Sequence, residues 1–125
     1  MCALRRRLFF EPALSMVGDC VWRPAVDVRR TPTGWLIKAE LPGVPAEQVH
    51  VTMRGNSVVL SGVRRDVHEE GESCYAMEIA YSPFERRIEL PGRVEDADVA
   101  ISSRDGLLIL RIARRATGAR TTEKP

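Results

Sequence analysis

The sequence lacks any long apolar run. None approaches the roughly 18 consecutive apolar residues that a membrane-spanning helix needs, so we predict no integral membrane segment. A basic cluster at residues 5–7 precedes an apolar stretch, but Glu11 and Pro12 interrupt that stretch, whereas a secretory signal needs a longer one. We therefore expect a cytoplasmic protein.

Cysteine is scarce as well. The three cysteines, Cys2, Cys20 and Cys74, are odd in number, and their spacing fits neither a disulfide framework nor paired metal ligands. Free thiols are typical of a reducing compartment, which agrees with a cytoplasmic location. We expect unpaired thiols, with a redox linkage through Cys74 as the alternative.

Charge of one sign is not in excess. The formal net charge is only +2, so no broad basic field indicates nucleic acid as a partner. Trp35 and Phe84 fall on predicted inward positions rather than among exposed charges, which also argues against a nucleic-acid surface. Nearly all basic residues are arginines, which pair well with carboxylates. We predict no nucleic-acid partner and expect protein interfaces instead.

Catalytic and metal-binding motifs are missing from the sequence. It has no nucleophile elbow, no phosphate-binding glycine loop and no dinucleotide fingerprint. Neither His50 nor His68 has a further ligand at metal-binding spacing, and Glu69, Glu70 and Glu72 lack the pattern of a calcium loop. We therefore predict no catalytic residue, no metal site and no cofactor, and we interpret the acidic stretch as a solvated loop.

Alternation of apolar and polar residues dominates from residue 22 onward. The predicted strands are residues 24–30, 35–41, 48–54, 57–65, 75–81, 82–91, 99–102 and 107–112. About eight short strands separated by turn signals, such as Gly55-Asn56 and Asp105-Gly106, are typical of an antiparallel β-sandwich. The chain then divides into an N-terminal arm (1–21), a sandwich domain (22–115) and a disordered polar tail (116–125).

The last predicted strand is apolar on both faces. Leu107 and Ile109 point away from Leu108, Leu110 and Ile112, whereas a half-solvated sheet exposes polar residues on one face. Only one face of each sheet is internal in a sandwich. Either a sheet edge, the arm or a second subunit covers the other face, or this face binds other chains.

Several motifs, in order along the chain, resemble the α-crystallin domain of small heat-shock proteins. The resemblance covers residues 22 to 115 and rests on motifs that are weak singly but specific together. These motifs are WRPAVD (22–27), ELPGV (40–44), VVLSG (58–62), YSPFERRIELP (81–91) and AISSRDGLL (100–108).

The resemblance implies an immunoglobulin-like β-sandwich and a role in the stress response. Such proteins are ATP-independent chaperones, or holdases, which bind unfolding client proteins and prevent their aggregation without catalysing a reaction. A non-catalytic sandwich that binds one defined protein partner is the alternative. The two differ in how many unrelated proteins they would bind.

The resemblance also implies homodimers formed by strand exchange. The exchanged strand lies on the long loop before the Phe-x-Arg segment, which here is residues 66–81, with the strand near residues 75–79. Residues expected at the dimer interface are Tyr75, Met77, Glu78, Ile79, Arg86 and Arg87. The two arginines are candidates to pair with carboxylates of the partner.

The family further has an apolar groove, here between residues 49–53 and 99–102. Partner tails or clients enter this groove by adding chain along a sheet edge. We expect Leu107 and Ile109 to extend its apolar surface. The expected lining residues are Val49, Val51, Met53, Val99, Ala100 and Ile101.

The tail departs from the family pattern. Family tails carry an Ile-x-Ile motif that docks in a neighbour's groove, and residues 116–125 contain none. Ala113 stands where the family has a proline after the last strand, and the arm is short. We therefore expect a homodimer, with small higher oligomers, rather than large cages.

Overall fold

The computed structural model describes residues 22–115, which are all-β apart from one 3₁₀ helix. The predicted arm and tail, with Cys2 and Cys20, lie outside the described residues. The 3₁₀ helix is Ala46–Gln48. The seven strands within residues 22–115 are β1 (Val26–Arg30), β2 (Gly34–Glu40), β3 (His50–Arg54), β4 (Ser57–Val63), β5 (Pro83–Glu89), β6 (Asp98–Arg104) and β7 (Leu107–Ala113).

The strands form two antiparallel sheets of unequal width. The larger sheet has the strand order β1-β2-β7-β6, and the smaller has the order β3-β4-β5. Buried apolar residues of both sheets belong to a single cluster, so the sheets pack face to face. This arrangement confirms the predicted antiparallel β-sandwich.

The alternation of side chains decides which residues form the core. Ile37 of β2 lies opposite Leu110 of β7, and both side chains are fully buried. In the smaller sheet, Val58 and Ile88 face each other in the same manner. The inward faces predicted from Trp35 in β2 and from Phe84 in β5 are confirmed, because residues an even number of positions apart on a strand share one face, and Ile37 and Ile88 are buried on those faces.

Tight turns set the register of two hairpins. Gly55 has a φ of 62° in the turn between β3 and β4. Asp105 and Gly106 have φ values of 52° and 84° between β6 and β7. Two-residue hairpin turns need positive φ at these positions because only then does the turn follow the twist of the strands. The turns predicted at these dipeptides are confirmed.

The strand predicted at residues 75–81 is not formed. Residues 64–82 contain no strand, so the described part of the chain has seven strands instead of about eight. Tyr75 is 97% exposed and Ile79 is 53% exposed. Alternation alone does not produce a strand, since a strand is stable only when it pairs with a neighbour.

Cys74 also departs from expectation. It is disulfide-bonded, and its partner lies outside the described residues. A disulfide needs Cα atoms within about 7 Å of each other, and spacing along the sequence does not indicate which thiols the fold brings that close. The expectation of unpaired thiols is wrong for Cys74, and cysteine usage therefore no longer indicates a reducing compartment.

We expect Leu110→Ala to lower the free energy of unfolding by about 2–5 kcal/mol, because truncation leaves a cavity between the two sheets. Urea denaturation followed by tryptophan fluorescence measures the change. Val67→Ala is the control, since Val67 is 86% exposed. It should change the free energy of unfolding by less than about 0.5 kcal/mol. Equal effects of the two substitutions would place Leu110 outside the core.

Candidate functional site

Two outer strands run along the same flank of the sandwich. β3 is an outer strand of the smaller sheet and β6 an outer strand of the larger one. The 3₁₀ helix that leads into β3 packs against β6. Within residues 22–115 no further strand pairs with β3 or β6 on this side. Each therefore presents a row of backbone N–H and C=O groups to a possible additional strand.

The larger sheet extends beyond the smaller sheet that covers it. Val28, Ile37, Leu110 and Ile101 lie in one row across its inner face. Ile37 and Leu110 are 0% exposed, whereas Val28 is 39% and Ile101 is 46% exposed. Because three strands do not cover four, the inner faces of β1 and β6 are only partly covered. Val99, on the same face of β6 as Ile101, is 37% exposed.

β3 supplies the opposite apolar wall. Val51 and Met53 pair in register with the buried residues Leu60 and Val58, so their side chains point to the inner face. Both are half-buried and pack against the core, as does Val49 just before the strand. We refer to these three partly buried residues together with the two exposed residues of β6 as the apolar flank: Val49, Val51, Met53, Val99 and Ile101.

Three predicted residues do not belong to the apolar flank. Ala100, Leu107 and Ile109 all lie on the outer face of the larger sheet. The expectation that Leu107 and Ile109 extend the groove is wrong, because the pleat directs alternate residues to opposite faces. Their direct neighbours there include Arg104 and Lys38. Long charged side chains at such positions cover apolar neighbours with their hydrocarbon stems. This coverage explains why Leu107 and Ile109 are half-buried although they lie on the outer face.

Arg86, one of the predicted interface residues, lies on the inner face of β5. Its Nη1 donates a hydrogen bond to the carbonyl oxygen of Pro24. Its buried Nε has no hydrogen-bond partner among residues 22–115. Burial, and secondarily the charge of Arg23, lowers the pKa of Arg86. A buried guanidinium donor without an acceptor is costly, so this group favours a carboxylate from outside the described residues.

Arg87 lies in a different environment. Its side chain points to the outer face, where Nη1 lies 3.6 Å from Oε2 of Glu89 and 3.4 Å from Oγ of Ser57. Its charge therefore already has a partner within the chain. The structure separates the two arginines, whereas the sequence motif treats them as equivalent.

The other predicted interface residues lie on the long loop between β4 and β5. Tyr75, Glu78 and Ile79 are exposed, and Met77 is half-buried. The acidic part of this loop behaves as the sequence indicates, since His68 makes exposed contacts of 3.4 Å to Asp66 and 3.8 Å to Glu72.

Arg64 is the residue that the sequence does not single out. Its guanidinium lies 3.7 Å from the centroid of the Trp22 ring. Its Nε donates to the carbonyl of Ala80 at 2.9 Å, and its Nη1 donates to the carbonyl of Pro42 at 3.2 Å. The only feature of the sequence that could have drawn attention to Arg64 is its position directly after β4.

Metal-binding and membrane-spanning elements are not seen in the part of the chain that the structure describes. Over residues 22–115 no three His, Cys, Asp or Glu side chains are grouped so that they could hold a metal ion. No helix in that range is long and apolar enough to cross a membrane.

Comparison with known proteins assigns the chain to a family. The family model described as "Hsp20/alpha crystallin family" matches residues 27–125. The chain belongs to this family, and the resemblance seen in the motifs is confirmed.

Individual relatives agree with this assignment. Spore protein SP21 from Stigmatella aurantiaca is 38% identical over 99 residues, which cover 78% of this chain and 59% of that protein. The 16.9 kDa class I heat shock protein 3 of Oryza sativa is 32% identical, covering 71% of this chain and 61% of that protein. The chain thus spans about three fifths of the length of the curated relatives it matches.

The fold has counterparts among solved structures. That of hspA from Xanthomonas axonopodis is 30% identical with a TM-score of 0.62, covering 77% of this chain and 97% of that one. A small heat-shock protein from Xylella fastidiosa is 27% identical with a TM-score of 0.62, covering 78% and 91% of the two chains.

We expect Ile101→Ser to reduce the fluorescence of bound bis-ANS at least about twofold, because it removes exposed hydrocarbon from the apolar flank. Dye titration at fixed protein concentration measures the change, and circular dichroism checks that the fold is retained. Ala100→Ser is the matched control on the same strand but the outer face, and it should leave dye binding unchanged. An equal loss in both variants would show that the dye binds elsewhere.

Proposed function

We propose that this protein is an ATP-independent chaperone, a holdase that binds apolar segments of unfolding proteins and keeps them from aggregating. The observation that carries the proposal is the exposure of Val99 and Ile101, 37% and 46%, on the inner face of an outer strand. Membership of the Hsp20/alpha-crystallin family supports a chaperone role. Holding needs no bond to be made or broken, so the proposed activity is not enzymatic and uses no cofactor.

An unfolding client offers what the apolar flank can bind. An extended segment added along β6 would exchange main-chain hydrogen bonds with the open edge. Its alternate side chains would then face the same side as Val99 and Ile101. Every residue except proline can both donate and accept main-chain hydrogen bonds, so such binding selects for apolar character rather than for one sequence.

The expected strength of each contact is modest. Burial of about 400 Å² of apolar surface at about 25 cal/mol/Å² contributes about 10 kcal/mol. Association costs about 4–15 kcal/mol in lost translational and rotational freedom. Each site therefore binds weakly and reversibly, and several sites in one oligomer would raise the avidity.

We expect an equimolar amount of the protein to suppress the aggregation of several unrelated heated clients without nucleotide, as measured by light scattering. The double variant Val99→Ser/Ile101→Ser should lose at least about half of this protection, because it removes the exposed apolar surface. Ala100→Ser should retain it.

Two outcomes would contradict the holdase proposal. If aggregation of several unrelated clients is unchanged by the wild-type protein, the protein does not hold unfolding chains. If one client alone is protected, the flank serves a defined partner and the protein is an adaptor. Equal protection by the double variant would move the client site away from the apolar flank.

We further propose that the protein forms homodimers by strand exchange, from which small higher oligomers assemble. Residues 75–79 alternate as a strand does, yet residues 22–115 contain no strand at these positions. β1 is an outer strand whose Val28 is 39% exposed on the inner face. The segment 75–79 of a partner added to the edge of β1 would gain a neighbouring strand and help to cover Val28.

Arg86 supports this arrangement because its free Nε lies near the start of β1. Its hydrogen bond to the carbonyl of Pro24 ties it to the residues that lead into that strand. Glu78 is the single carboxylate within residues 75–79. A partner's segment lying along β1 would bring this carboxylate towards the unpaired donor, which would form a charge-assisted hydrogen bond.

We expect Arg86→Glu to shift the protein from dimer to monomer in multi-angle light scattering, because it replaces attraction to the partner's carboxylate by repulsion. The double variant Glu78→Arg/Arg86→Glu should restore part of the dimer. Arg87→Glu is the control, since Arg87 already pairs with Glu89. Deletion of residues 66–79 should give monomers, and dimers that survive this deletion would contradict strand exchange.

We propose a cytoplasmic location and residues 22–115 as the folded domain that carries these activities. Fractionation of cells that express the full chain tests the location. Limited proteolysis tests the domain bounds, because cleavage is expected first in exposed segments that lack backbone pairing.

A further inference from the structure

We infer that Arg64 is a positioning residue that couples two parts of its own protomer. One is the long loop between β4 and β5, which donates the exchanged strand, and the other is the edge of β1, which accepts the partner's strand. The inference rests on the proposed strand exchange and adds a residue outside the apolar flank and outside the expected interface. It follows from the contacts of one guanidinium with three separate segments. These segments are the residues before β1, the turn after β2 and the end of the long loop.

Arg64 makes two hydrogen bonds across the base of the long loop. Its backbone N–H donates to the carbonyl of Ser82 at 2.9 Å, which adds a step to the ladder beyond the pair Val63 and Pro83. Its side-chain Nε donates to the carbonyl of Ala80, also at 2.9 Å. The path on which the loop returns to β5 therefore depends on the Arg64 side chain.

The ring of Trp22 packs against the guanidinium of Arg64. The charge lies 3.7 Å from the centroid of the indole ring, a favourable cation–π distance. The indole in turn meets the buried ring of Phe84 edge-on, with centroids 5.3 Å apart and planes at 71°. At Gly62 an added Cβ would lie 2.9 Å from Cζ of Phe84, so a glycine is needed for this ring position. Arg64 is thus anchored to the core through aromatic contacts.

The same side chain reaches the elements beside the accepting edge. Trp22 precedes β1, the strand to which a partner's segment would add. The carbonyl of Pro42 accepts from Nη1 at 3.2 Å and lies two residues after the end of β2, the neighbour of β1. One side chain therefore contacts both the long loop and the segments that flank β1 and β2.

Only arginine suits all of these contacts at once. Its planar guanidinium stacks with its face on the indole while its N–H groups donate in the plane to the two carbonyls. A lysine would keep the charge and contact with the ring, but its ammonium is a point charge without this fork. A loop and an edge already held in place lose less freedom when the dimer forms, which strengthens association.

Hydrogen exchange and dimer dissociation, measured on the full chain well below its melting temperature, test the inference. In Arg64→Ala and Arg64→Lys we expect the backbone amide of residue 64, which donates to the carbonyl of Ser82, to lose at least about tenfold in protection from exchange, because the base of the loop opens more often. The dissociation constant of the dimer, from the dependence of mass on concentration, should rise at least about tenfold in both variants because pre-organisation is lost. Arg65→Ala, an exposed neighbour, is the control and should change neither quantity.

Unchanged exchange and unchanged dissociation in Arg64→Ala would overturn the inference. Faster exchange with an unchanged dissociation constant would also overturn it, since the loop base would then be independent of dimerisation. Full rescue by Arg64→Lys would show that charge alone is needed and would contradict the role given to the planar fork. A wild-type chain that is monomeric at every concentration would instead contradict strand exchange itself.

Discussion

The two sheets of the sandwich differ in width, and the inner faces of the outer strands β1 and β6 therefore extend beyond the core. In the row Val28, Ile37, Leu110 and Ile101, the middle side chains are fully buried and the outer two are not. One overhang exposes Ile101, a member of the apolar flank, where we propose that clients bind. The other exposes Val28 beside the edge where we propose that a partner's strand adds. Both proposals thus depend on the difference in width between the four-stranded and the three-stranded sheet.

Arginine contributes in two opposite ways to this scaffold. Arg64 has acceptors and an aromatic ring around it, and a satisfied polar group of this kind holds loops in a unique arrangement. Arg86 has a buried donor without an acceptor in residues 22–115, and such a group is stabilised when a carboxylate accepts a hydrogen bond from it. The first arrangement suits a positioning role and the second an interface that is completed by another chain. Their neighbours in sequence, Arg65 and Arg87, are exposed and serve as matched controls.

Much of the fold was predictable because short-range signals specify it. Alternation identified the inward faces of β2 and β5, since a strand has a side-chain period of two. The dipeptides Gly55-Asn56 and Asp105-Gly106 identified two hairpin turns, because few residues adopt positive φ at low cost. The motifs identified the family. For the apolar flank, the sequence indicated Val51, Met53, Val99 and Ile101 correctly as apolar residues of two strands, while their common face required knowledge of the pairing.

By itself, then, the sequence determined the seven strands that form, two hairpin turns, core positions in β2 and β5 and the family, all of which depend on residues close together in the chain. The tertiary structure alone decided that Ala100, Leu107 and Ile109 face away from the apolar flank, since sheet order and register select the face. It alone decided that residues 75–81 form no strand and that Cys74 is bonded. It also distinguished Arg64 and Arg86 from the arginines beside them. Each of these outcomes depends on contacts between residues far apart in the chain, which local pattern does not encode.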